Sequence, residues 1–235
     1  MKKRKKYPWT KPQDVNTQKD WELPILKIYR QPLIVGLTGP TKGGKTVLAK
    51  YLTTEYGFQF ISLSAFIKKY TYQLEDSNSI TRWKMLGEAA VIMRELKGKD
   101  FFGKQAIKLI QNNSNVNHRY VIDGIVHPAE IRLFRKIKGF YLIGVETDED
   151  DNEIRVEEAK KWFGQSREII STMLTERDEF ENYNQGFERN PVEYRPDVTQ
   201  CLKYINFHIC VKDTFNSASL ISPTNVIINT ILRGI

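Results

Sequence analysis

Residues 33–52, LIVGLTGPTKGGKTVLAKYL, decide how the rest of the chain is read. The stretch opens on Leu33–Leu37, an apolar run with the length and composition of a strand buried on both faces. A glycine-rich loop follows: Gly39, Pro40, Thr41, Lys42, Gly43, Gly44, Lys45, Thr46. From Thr46 to Tyr56 the pattern is helical. The loop matches G-x-x-x-x-G-K-[ST], and it lies between strand and helix, the context its mechanism requires. Glycines let successive N–H groups turn inward onto an anion, and the helix N-terminus adds partial positive charge. In that reading Lys45 reaches the β- and γ-phosphates, the Thr46 hydroxyl ligates Mg²⁺, and Val47 closes the nucleotide-binding stretch. The expected ligand is a nucleoside triphosphate, with ATP and Mg²⁺ as the cofactors.

Working outward, strand patterns alternate with helical ones. FQFISL (58–63), RYVIDGI (119–125), GFYLIGVET (139–147) and INFHICV (205–211) read as strands. Helical segments are expected at 64–74, 80–96, 100–111, 128–137, about 150–163 and about 165–183, with one more closing the chain. A connector, NQGFERNPVEYRPD, precedes the last strand. Five strands joined in this way predict an α/β fold, a parallel sheet with helices on both faces, and ligands beyond the carboxyl ends of the strands. Asp123 ends the third of these strands, so it is expected at the same edge as the glycine loop. A carboxylate there holds the Mg²⁺ shell or orients the nucleophile. The competing reading is a turn residue, since Asp-Gly is a common turn pair.

Bulk properties narrow the classes. The chain has 235 residues, 40% hydrophobic and 27% charged, which suits a globular domain. No apolar run approaches the roughly 20 residues of a membrane span, and no apolar core follows the basic N-terminus. Two cysteines, Cys201 and Cys210, read as buried thiols of a reducing, cytoplasmic compartment. His118 reads as a surface residue, His127 as part of a loop and His208 as a core residue. The net charge of +8 suits phosphorylated partners. Five cations fall in Lys2–Lys6, which read either as a solvated tail or as an arm for nucleic acid or an acidic partner. Residues 1–30 are expected to form an extension, with Trp9 and Trp21 lying across the domain, and residues 31–235 the domain itself.

Together these segments resemble the nucleoside monophosphate kinase-like group of phosphate-loop proteins. The nearest likeness is to dephospho-coenzyme A kinases and an archaeal group related to them. It covers about residues 33–232. It is carried by GLTGPTKGGKT, GFQFISLSAFIKK, LGEAAVIMRELKGKDFFGKQA, YVIDGIVHPAEIRLFRK and ERDEFE. The resemblance implies a three-layer α/β/α sandwich with a five-stranded parallel sheet, and a phosphotransferase acting on a nucleotide or nucleotide-like acceptor. It assigns Ser64, Lys68 and Arg94 to the acceptor, and a lid to about residues 150–183. Arg167 and Arg177 of that lid would join Lys45 and Asp123 as catalytic groups, the arginines neutralising the transferring phosphoryl group. Taken alone, Arg94 equally resembles a solvated helix cation. Asp213 and Thr214 are candidates beside the adenine ring.

Two departures bear on the acceptor. Ala65 stands where the archaeal group usually has an acidic residue, and Val126, followed by His127, where it usually has an arginine. Valine cannot replace a planar anion clamp. The second functional reading is therefore a nucleotide-dependent module that binds nucleic acid or protein.

Overall fold

The computed structural model describes residues 32–69, 79–113, 118–147, 152–182, 194–211 and 217–234. The Lys2–Lys6 block, Trp9, Trp21, Asp213 and Thr214 lie outside them. Five strands form one sheet: β1 (Leu33–Thr38), β2 (Gln59–Ser62), β3 (Arg119–Asp123), β4 (Phe140–Thr147) and β5 (Phe207–Val211). Their order is β2-β3-β1-β4-β5 and all pairings are parallel. The helices are α1 (Lys45–Tyr56), α2 (Leu63–Lys69), α3 (Ser79–Lys97), α4 (Phe101–Gln111), α5 (Pro128–Phe134), α6 (Asn152–Phe163), α7 (Arg167–Asn182), α8 (Val198–Leu202) and α9 (Ser217–Arg233).

Alternation along β1 sends side chains to two cores, as the pleat requires. Ile34 packs with Ile122, Leu142, Phe102 and Ile131 beneath α4 and α5. Leu33, Val35 and Leu37 pack with Leu48, Leu52, Val145 and Ile228 beneath α1 and α9. A smaller cluster, with Val156, Ala159, Ile170, Met173 and Leu174, joins α6 to α7 as a helical pair. None of the described helices is long and apolar enough to cross a membrane.

Several expectations need correction. Helix α8 was not foreseen; Asp197 caps it, its side chain accepting from Gln200 N at 2.8 Å, a local bond that outweighs the turn-like composition before it. Strand β5 starts two residues late, because Asn206 is used as a bracket: its side chain accepts from Leu142 N and its own N–H donates to Leu142 O. Cys201 is buried as expected, but Cys210 is exposed on the edge strand β5. His208 is not a core residue. It stands 47% exposed beside Cys210 on that edge, its Nε2 2.8 Å from Glu146 Oε2.

Candidate functional site

Strand pairing brings the site together. Leu37 of β1 is in register with Asp123 of β3, so the turn into α1 and the end of β3 share one edge. The loop needs its glycines there. Gly39 has φ +136°, and a Cβ on it would collide with the backbone carbonyl of Val145 at the end of β4. Gly44, at φ +96°, turns the chain into α1. Lys42 takes φ +65° without being glycine, a strained conformation that places its ammonium 4.5 Å from the Trp162 ring centroid.

Within this cradle the Lys45 ammonium donates to Gly39 O at 2.8 Å and Pro40 O at 2.6 Å. Burial lowers its pKa, against the opposing fields of Asp123 and Glu181. The Thr46 hydroxyl donates to Asp123 Oδ2 at 2.7 Å. A hydroxyl and a carboxylate side by side are hard oxygen donors, the kind Mg²⁺ takes from protein while phosphates and water supply the rest. Gly43 is buried in the loop; Val47, beyond it, is half exposed on α1.

The α6–α7 pair lies directly against the loop. The Thr41 hydroxyl donates to Glu181 Oε1 at 2.9 Å, and Arg177 Nε donates to the same oxygen at 2.6 Å. Arg155 Nε donates to Thr41 O at 3.0 Å, and its two terminal nitrogens grip Asp178 at 2.7 and 2.8 Å. Burial alone would push the Glu181 carboxyl up, but Arg177, Lys45 and the Thr41 hydroxyl together hold it below the ordinary glutamate range. Arg177 is thus at the loop. Arg167 is not: it is exposed at the start of α7 and pairs with Glu153.

Sequence reasoning missed Arg155 and Glu181. The signal for Arg155 was weak but present, since it is the one cation in the acidic run DEDDNEIRVEE. Glu181 closes the quoted ERDEFE, with Arg177 one helical turn before it. Only the packing of α7 on the loop gives it meaning.

The acceptor candidates do not converge. Ser64 and Lys68 are exposed on α2, with Ser64 Oγ 2.9 Å from Ser62 Oγ. Arg94 is neither a solvated cation nor turned toward them. It is 2% exposed, its Nε and Nη2 donating to Glu130 Oε1 at 3.3 and 2.9 Å, with its guanidinium over the Phe102 ring. The reason is a buried pocket beside α4 in which Glu130 takes the guanidinium as its counter-charge. His127 belongs to the loop before α5 and caps that helix: its Nδ1 accepts from Ala129 N, while its own N–H donates to Glu130 Oε2. Val126, where a relative would place arginine, takes a backbone bond from Asp197 N at 2.8 Å.

No protein-family profile matches the sequence, and no curated protein matches it. Solved structures do match. The shikimate kinase of Bacteroides thetaiotaomicron superposes with a TM-score of 0.50 at 11% identity, covering 85% of this chain and 98% of that one. The chain therefore shares that enzyme's α/β fold, a five-stranded parallel sheet flanked by helices. The protein TT1252 from Thermus thermophilus superposes with a TM-score of 0.50 at 14% identity, covering 88% and 99%. At such identities the likeness shows the fold alone.

Proposed function

We infer that the chain is a Mg²⁺-dependent kinase that transfers the terminal phosphoryl group of ATP to a small acceptor. One observation carries the reading: the Thr46 hydroxyl and the Asp123 carboxylate, 2.7 Å apart, stand beside a lysine enclosed by its own loop. An ordinary glycine turn has no use for a buried ammonium at that place. The resemblance of the sequence to nucleoside monophosphate and dephospho-coenzyme A kinases supports a nucleotide or nucleotide-like acceptor.

In this reading the N–H groups of the loop from Thr41 to Thr46 and the Lys45 ammonium bind the phosphates. Thr46 and Asp123 would hold Mg²⁺, which would supply charge neutralisation for the phosphates. The acceptor oxygen attacks the γ-phosphorus, and the proton of a hydroxyl acceptor passes to solvent. A new P–O bond forms, the bond to the β,γ-bridging oxygen breaks, and the nucleoside diphosphate leaves. Arg177 neutralises the equatorial oxygens, and the α6–α7 pair acts as the lid that excludes water. Arg167 joins it only if that lid closes further. Ser64 and Lys68 remain the acceptor-side candidates, while Arg94 acts by fixing α3 against α5.

The test is ADP release with Mg²⁺·ATP across nucleoside monophosphates, deoxynucleotides and dephospho-coenzyme A, with Lys45→Ala as control. Acceptor-stimulated release that Lys45→Ala abolishes is expected. ATP binding with no acceptor response would sink the kinase reading and favour the nucleotide-dependent module.

A further inference from the structure

The phosphate loop is a cradle for anions, and the chain places an anion of its own against it. Glu181 is 3% exposed, yet it does not sit in a saturated hydrogen-bond network. Its Oε1 accepts from Thr41 Oγ1 and Arg177 Nε, while its Oε2, also buried, has no hydrogen-bond partner among the described residues. A buried carboxylate kept for structure alone normally satisfies both oxygens. Glu130 does so, with Arg94 on one oxygen and the His127 N–H on the other. The donors that Glu181 occupies are those a phosphoryl group needs. Thr41 lies within the loop, Arg177 is a lid cation, and Lys45, whose field Glu181 also feels, is the loop's lysine. Arg155 seats this arrangement from the other side, tying the Thr41 carbonyl to Asp178 of the same helix as Glu181.

We propose that Glu181 is a built-in competitor for the terminal phosphate of the nucleotide, and that it sets how strongly the site distinguishes a triphosphate from a diphosphate. This rests on the nucleotide reading above and goes beyond it. Two anions cannot share the Thr41 hydroxyl and the Arg177 Nε without strong repulsion in a partly desolvated site. Lys45 reaches toward the β- and γ-phosphates, so the conflict is greatest for the γ-phosphate and smaller for a nucleotide that ends at β. Binding of a triphosphate then swaps the Glu181 carboxylate for a phosphate oxygen on the same donors. The exchange hands Thr41 and Arg177 to the phosphoryl group and turns the Glu181 side chain out of the cradle, while α7 stays over the loop.

The experiment measures the dissociation constants of Mg²⁺·ATP and Mg²⁺·ADP for the wild type, Glu181→Gln and Glu181→Ala by calorimetry, with Lys45→Ala as the loop control. Thermal unfolding of each variant establishes that it is folded. Gln keeps the shape and an accepting oxygen but removes the charge; Ala removes both. The expected result is ATP binding tightened about tenfold by Glu181→Gln, with ADP tightened less than about threefold. Glu181→Ala should show the same order of preference. Equal shifts for the two nucleotides, no shift, or weaker ATP binding in a folded variant would overturn the proposal; weaker binding would make Glu181 a positioning residue for Arg177. Failure of the nucleotide reading looks different. No nucleotide would bind to the wild type or to either variant, and both proposals would fall together.

Discussion

Glu130 and Glu181 are both buried glutamates paired with an arginine, yet the two pairs are built to different ends. Glu130 lies in the interior between α3 and α5, where Arg94 and the His127 N–H fill both of its oxygens. Burial pushes its carboxyl up, and Arg94 only partly offsets that. Glu181 lies at the edge of the glycine-loop cradle, where Arg177, Lys45 and the Thr41 hydroxyl overcome burial and hold its carboxyl down. One oxygen is left over. The contrast separates a pair that closes an interface from one that stays ionised because it faces a surplus of positive charge. The glycine loop and the lid helices bring that surplus together, and the enclosed Arg94–Glu130 pair does not.

The largest expected effect breaks the first pair. Arg94→Met should destabilise the fold by about 3–5 kcal/mol, because it leaves Glu130 buried without its counter-charge. The double change Arg94→Met with Glu130→Leu should recover most of that in urea unfolding. A loss under about 1 kcal/mol for the single change would mean that the pair is not what joins α3 to α5.

Next comes Arg155→Ala, which cuts the tie between the loop and α7. A loss of about 1–2 kcal/mol is expected, since the Asp178 end is partly solvated. Hydrogen exchange should quicken at the amides of residues 41–44 before it quickens in β1. Uniform acceleration across the sheet would instead make Arg155 a global brace.

The smallest effect concerns acid, and the two glutamates should respond with opposite sign. The folded value of Glu181 lies below the ordinary 4.5, so its contribution to stability is present above pH 4.5 and is lost as pH falls through the folded value. The folded value of Glu130 lies above 4.5, so its contribution is present below pH 4.5 and fades as pH rises through the folded value. Glu181→Gln should flatten the acid side of the stability profile below pH 4.5, and Glu130→Gln the fall above it. Matching profiles for the two variants would remove the contrast.

The element pattern was legible because strands buried on both faces advertise themselves. LIVGL and the YVI of RYVID are unbroken apolar runs, and the spacing of GPTKGGKT allows few other uses for its glycines and its second lysine. A parallel sheet with helices on both faces followed from the alternation of such runs with helices. The acceptor side was not legible, since Arg94 has the same local surroundings whether it faces solvent or Glu130. His208 and Cys210 misled for a related reason: an apolar run predicts burial, but β5 is an edge strand with one face open.

What the sequence determined by itself is the cradle, since strand, glycine loop, lysine and hydroxyl are consecutive and their geometry is local. What only the tertiary structure decided is which groups meet the cradle. Asp123 comes to Thr46 through the β1–β3 register, across 77 positions of chain. Glu181 comes to Thr41 through the packing of α7, across 140. Contacts at such separations depend on how whole elements pack, and no short window of residues encodes that.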